Sequence, residues 1–164
     1  MTGVQTCALP ISSEKALLGE ENLAFLPAAV FEHAPSLQVL DVTANSLLTL
    51  PEDLMLACQN LKVLKVGRNF MKHVPDCFKL LSALEHLDLS GNELQDDGMD
   101  TLALLKGLKH LNLSGNHLTV IPTLPLNLTI LNLSNNLLTH CTISNNNASC
   151  VLEELDVSLN YISH

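Results

Sequence analysis

Leu84–Leu94, LEHLDLSGNEL, and Leu108–Leu118, LKHLNLSGNHL, share one apolar frame, L-x-x-L-x-[LV]-x-x-N-x-[LMI], and its recurrence decides the fold. The frame returns as LQVLDVTANSL from Leu37, LKVLKVGRNFM from Leu61, LTILNLSNNLL from Leu128 and LEELDVSLNYI from Leu152. It places asparagines at 45, 69, 92, 116, 136 and 160, separated by 24, 23, 24, 20 and 24 residues. A period of this size marks a solenoid, in which each repeat is one coil that buries its apolar side only by stacking on the next.

The centre of each copy, as in Leu40-Asp41-Val42 or Leu111-Asn112-Leu113, alternates with period two. Two branched apolar side chains therefore point inward and the residue between them outward, which predicts one short strand per copy. Strands that recur once per coil stack in parallel, about 4.8 Å apart. The asparagine then sits at the bend, where its carboxamide is placed to satisfy backbone groups of its own and the neighbouring turn. Leu50, Val74 and Ile121 follow the asparagines by five places, each preceding a proline, and Leu26-Pro27 repeats the pattern. Counting back 24 places from Asn45 reaches Glu21, with Leu18, Leu23 and Leu26 at framed positions, so a decayed first copy is expected ahead of the six.

The frame resembles that of the leucine-rich repeat proteins, of the vertebrate type, over residues 16–164. The resemblance implies an α/β solenoid with a curved parallel sheet on its concave face and short helices or coils on its convex face. Residues 1–11, MTGVQTCALPI, resemble a translated sequencing adapter and lack the basic leading region and sustained apolar stretch of a signal peptide. They are read as an artefact without structure. Residues 12–164 are expected to form a single array of about seven repeats, truncated at both ends. A mean hydropathy of +0.27 fits an uncapped slice of apolar repeats.

The convex connections differ in kind. Residues 96–107, DDGMDTLALLKG, open with acids, carry apolar residues at helical spacing and end on glycine, which predicts a short helix. Residues 28–34 and 52–58 are the other candidates for short helices or coils. Pro122 and Pro125 predict an extended crossing between Asn116 and Leu128. Phe31 and Phe78 each precede the next framed leucine by six places and are assigned to the core, as is Cys58, three places before Leu61. Cys77 is read as structural too. Cys141 and Cys150 flank the insert TISNNNAS, which fits either a disulfide-closed loop in an oxidising compartment or two thiols on an edge. Four N-x-[ST] sequons begin at Asn112, Asn127, Asn132 and Asn147, but those at Asn112 and Asn132 arise from the repeat itself.

A net charge of −9 argues against nucleic acid and acidic membrane surfaces as partners, and the chain contains no run of 18 apolar residues that would span a bilayer. There is no glycine-rich phosphate loop, H-E-x-x-H or G-x-S-x-G motif, so the fragment is read as non-catalytic and without cofactor or metal. Function is then expected where outward strand residues align in columns on one rigid surface. One column reads Val39, Val63, His86, His110, Ile130, Glu154, and the other Asp41, Lys65, Asp88, Asn112, Asn132, Asp156. Val39, Val63, Lys65 and Arg68 combine apolar area with long cations, the composition of a binding hot region. Asp41, His86, Asp88 and His110 complete the candidate partner-binding set. His86, Asp88 and His110 fall on adjacent turns, a set that zinc chemistry also uses, but surface polar residues on a repeat scaffold suffice to explain them.

The expected function is a protein-binding module, the repeat array of a larger receptor, matrix or adaptor protein whose partner sits on the concave face. Repeats such as FEHAPSLQVLDVTANSLLTLP resemble those of Toll-like receptors and small leucine-rich proteoglycans, which favours an extracellular or receptor-ectodomain setting. The alternative is a targeting array of an intracellular signalling enzyme, since the irregular turns also resemble those of PH-domain leucine-rich-repeat phosphatases.

Overall fold

A computed structural model describes residues 14–27, 31, 34–143 and 151–163. Seven three-residue strands run β1 (Lys15–Leu17), β2 (Val39–Asp41), β3 (Val63–Lys65), β4 (His86–Asp88), β5 (His110–Asn112), β6 (Ile130–Asn132) and β7 (Glu154–Asp156). They form one parallel sheet in chain order, each strand paired with its neighbours in sequence. The decayed first copy is present, with Lys15 opposite Val39 and Ala16 opposite Leu40. Register holds along the stack, so that Val63, His86, His110 and Ile130 lie side by side.

The alternation in the frame explains the layers. Ala16, Leu40, Leu64, Leu87, Leu111 and Leu131, the middle residues of successive strands, are buried, and so are Leu18, Val42, Val66, Leu89, Leu113 and Leu133 two places on. Behind them Phe31, Met55, Phe78 and Leu102 form a second buried column contributed by the convex connections, which confirms the core assignment of both phenylalanines.

The bends carry the asparagine ladder. Asn45, Asn69, Asn92, Asn116 and Asn136 are buried, and each carboxamide joins two turns. Asn92 Oδ1 accepts the Met71 N–H of the preceding turn at 3.0 Å, while Nδ2 donates to Val66 O of that turn and to Leu89 O of its own, both at 3.1 Å. The same set recurs at Asn69, whose Nδ2 reaches Val42 O and Val66 O, and at Asn116, whose Nδ2 reaches Leu89 O and Leu113 O. Each of the carbonyls of Val42, Val66, Leu89, Leu113 and Leu133 thus takes two amide donors, one per lone pair, from successive asparagines. The residue before each asparagine is left-handed: Gly91 and Gly115 at φ 60° and 65°, but also Ala44 at 56°, Arg68 at 55° and Leu159 at 54°.

The convex side is shorter in helix than the sequence predicts. Among the described residues Glu52–Ala57 forms the single α-helix, α1, entered from an extended Pro51 and with Glu52 and Asp53 in its first turn, where acids favour the positive end of the backbone dipoles. Residues Asp76–Leu80 make a 3₁₀ segment. The helix expected over residues 96–107 is reduced to 3₁₀ over Asp100–Leu104. Gly98 breaks it with a φ of 74°, and the Asp96 carboxylate is engaged elsewhere, accepting the Thr119 and Val120 N–H groups at 2.9 and 3.2 Å. The crossing through Pro122 and Pro125 has no helix. Cys58 is fully buried, which pushes its thiol up to about 11. Cys77 is buried with its thiol raised in the same direction, mainly by desolvation. Cys141 is exposed; Cys150, Asn147 and residues 1–11 lie outside the described residues.

Candidate functional site

The outward columns of the sheet form the concave wall, and the structure gives each column a distinct job. In the second column Asp41 Oδ1 accepts the Thr43 N–H at 3.0 Å, Asp88 that of Ser90 at 2.9 Å, and Asn112 and Asn132 those of Ser114 and Ser134 at 3.1 and 2.9 Å. The wall of acids and amides is therefore partly structural, because each side chain closes the bend that follows its own strand. Lys65 stands in this column without an oxygen to offer. Its ammonium instead lies 3.6 Å from Asp41 Oδ2 of the preceding turn.

The first column supplies the apolar part. Val39, Val63, His86, His110 and Ile130 are half-buried, so Val39 and Val63 are less exposed than the sequence suggests; neighbouring strands stand close enough for adjacent side chains in one column to cover each other. The His86 and His110 rings lie with centroids 4.2 Å apart and planes tilted by 34°. Burial first, and the neighbouring His110 second, hold the His86 imidazole below the usual histidine range. Beside them Lys109 Nζ sits 2.6 Å from Glu85 Oε2, and this hydrogen bond holds the Glu85 carboxyl below its ordinary value.

Two hollows open on the wall. The larger, about 390 Å³, lies among Val63, Lys65, His86, Asp88, His110 and Ile130. The second, about 380 Å³, lies among Glu20, Asp41, Lys65, Arg68 and Asp88, over Gly19. Lys65 and Asp88 line both, so the two are continuous. Seven of the eight candidate residues thus border one hollow or the other, and Val39 borders neither. Arg68 is set apart from the valines, on the bend after β3, with its guanidinium 3.5 Å from Glu20 Oε1. Ile130 and Glu20 were not among the candidates; Ile130 was visible in its column, whereas Glu20 belongs to a copy whose frame has decayed. Among the described residues no group of three or more His, Cys, Asp or Glu side chains is placed to hold a metal ion, and no helix is long and apolar enough to cross a membrane.

A parallel solenoid with a ladder of asparagines and an open concave wall defines the class. Models of the leucine-rich repeat match residues 35–94 and 107–126. Among solved structures the chain is similar to the leucine-rich repeat domain of APL1B, at 29% identity and a TM-score of 0.72 over 85% of this chain and 41% of that one. It is also similar to a Shigella effector LRR domain, at 30% identity and 0.70 over 92% and 60%, and to a chain of the LRIM1/APL1C complex, at 28% and 0.68 over 90% and 30%. The chain therefore spans less than two thirds of the length of each of these relatives. No curated protein matches it. The chain is thus a solenoid of leucine-rich repeats. Repeat domains of this kind are protein-interaction modules and typically non-catalytic.

Proposed function

We propose that the concave wall is the binding surface of a receptor, matrix or adaptor protein, and that a protein partner seats on the two joined hollows. The observation that carries this reading is the larger hollow, where half-buried Val63 and Ile130 flank the paired imidazoles of His86 and His110, with Lys65 at one end. Apolar area with a long cation at its rim is the composition that concentrates binding energy. The wall is also preorganised, since its strands are held in register by the ladder, so little order is lost on association. The test is a photo-crosslinking residue placed at Ile130 or at Leu56, which is exposed on convex α1. Adducts with a single partner at Ile130 and not at Leu56 support the concave surface; adducts at Leu56 alone would overturn it.

A further inference from the structure

His86 and His110 occupy equivalent places on β4 and β5, and the parallel register sets them side by side. Their rings lie with centroids 4.2 Å apart and planes tilted by 34°, and both residues are half-buried. Val63 of β3 stands on one side of the pair and Ile130 of β6 on the other, and these four side chains line the larger hollow. An uncharged imidazole suits such a place, since its apolar body packs against neighbours while its polar edge keeps to water. An imidazolium does not, because it needs water or an acid around it and here would press on a second ring that titrates in the same range.

The charged groups that face the pair come from every neighbouring strand. Glu85 and Lys109, each one place before a histidine, hold one another at 2.6 Å and act on His86 with opposite signs. Lys65 of β3 lies 3.6 Å from Asp41 Oδ2 of β2. Asp88, two places on from His86, stands between Lys65 and Asn112 in the register and has one oxygen on the Ser90 N–H. From β6 come Ile130 and Asn132, which do not titrate, and Glu154 of β7 is one strand further away. Among the described residues neither ring has a carboxylate at ion-pairing distance, whereas His73, which borders neither hollow, lies 3.4 Å from Asp97. Burial first, and the charge on His110 second, hold His86 below the histidine range, so its ring is uncharged at neutral pH.

The surrounding charges also set the sign of what acid does. Asp41, Glu85 and Asp88 outnumber Lys65 and Lys109, so a partner carboxylate drawn to a charged ring would meet acids already in place. Charging the rings therefore removes an apolar floor without creating an acid-binding site.

We infer that the His86–His110 pair is a pH-sensitive switch on the concave wall, which accepts an uncharged apolar side chain of the partner while both rings are neutral and rejects it once they take up protons. This rests on the concave wall being the binding face and adds how binding there is regulated. An apolar group seated over the rings strips away the water that an imidazolium needs, so the bound state holds protons less readily than the free chain. By linkage, affinity is complete above the histidine range and is lost as the pH falls through it, and binding at about pH 6 releases protons. Because a charge on one ring opposes a charge on the other, the two protons bind in separate steps that belong to the pair.

N-acetyl-phenylalaninamide, which carries no charge across the histidine range, is the probe, and the Ile130 methyl shifts in carbon–proton NMR of the full chain report its arrival in the hollow. Its dissociation constant is expected to rise about tenfold between about pH 7.5 and about pH 5. His86→Asn combined with His110→Asn should flatten that profile to within about twofold, whatever it does to affinity at neutral pH. His73→Asn removes a titrating ring outside both hollows and should leave the slope as it is. A slope that survives the double substitution, a slope lost in His73→Asn, or tighter binding at low pH would each overturn the switch and leave the hollow standing as a binding surface. No shift at Ile130 at any pH overturns the switch too, since the neutral rings then accept no apolar group. The concave reading itself falls only if crosslinking occurs at Leu56 and not at Ile130, an experiment that uses no probe.

Discussion

Replacing Asn92 by alanine removes a central rung of the ladder, and the structure says which groups suffer. The Met71 N–H has Asn92 Oδ1 as its acceptor at 3.0 Å, inside a residue that is fully buried, and loses it outright. The carbonyls are better protected: Val66 O keeps Asn69 Nδ2 at 2.9 Å and Leu89 O keeps Asn116 Nδ2 at 3.0 Å. The loss is therefore dominated by one orphaned buried donor, about 1–3 kcal/mol, and not by the sum of the broken bonds. Urea unfolding at constant slope measures it, the constant slope showing that the array still unfolds as one unit. Asn116→Ala should fall in the same range, whereas Asn160→Ala should cost less, because Asn160 is half-buried and its bonds lie nearer solvent. Asn92→Asp sharpens the test, since it keeps an acceptor for Met71 but turns a second oxygen on two carbonyls; it should be worse than alanine at neutral pH and improve as the carboxyl protonates. An Asn92→Ala protein that unfolds at the wild-type midpoint, or Asn160→Ala losses equal to those at Asn92, would refute the ladder argument.

Ala44→Gly should raise stability by about 0.5–1 kcal/mol, because Ala44 sits at φ 56° where only glycine is unstrained, and a lower urea midpoint would contradict this. Phe78→Ala should cost about 3–5 kcal/mol in the same assay, since its ring is fully buried in the second core column. Cys58, with a thiol at about 11 and no exposed surface, should label with a maleimide only as fast as the chain unfolds, followed by peptide mass, while exposed Cys141 labels at once. His86 is held below its ordinary 6.5, so the unfolded chain binds the proton more readily. Its contribution to stability is complete above about pH 6.5 and is lost as the pH falls toward the folded value, and His86→Asn should reduce the acid-side decline in urea midpoint.

The strands and the ladder were legible because stacking imposes the same requirement on every turn. A leucine at each inward place and an asparagine at each bend satisfy constraints that repeat, so six copies speak for one another and even the first turn, with Glu21 in the asparagine place, could be counted back to β1. The helix over residues 96–107 was misread for a local reason. Acids followed by apolar residues at helical spacing fit a helix start, but Gly98 turns left-handed and Asp96 reaches across to the backbone of Thr119 and Val120 in the next turn. That bond spans 23 residues, and periodicity within a single turn contains no sign of it.

The wall shows the same division. Its columns could be written down from the frame, and Val63, Lys65, His86, Asp88 and His110 do line one hollow. What the columns concealed is that equivalent places do different work: Asp41 and Asp88 close the bends that follow their strands, whereas Lys65 occupies the equivalent place and closes nothing. A departure from the repeat is therefore more informative than agreement with it. Asp at that position meets a need of the fold, so its presence says little about a partner. Lysine there, with Gly67 two places on and Arg68 at the left-handed bend, gives up the hydrogen bond to the bend and gains in its place only long ion pairs at the surface, Lys65 to Asp41 at 3.6 Å and Arg68 to Glu20 at 3.5 Å. Turns that forgo stability in this way are where a repeat protein's binding function is to be sought.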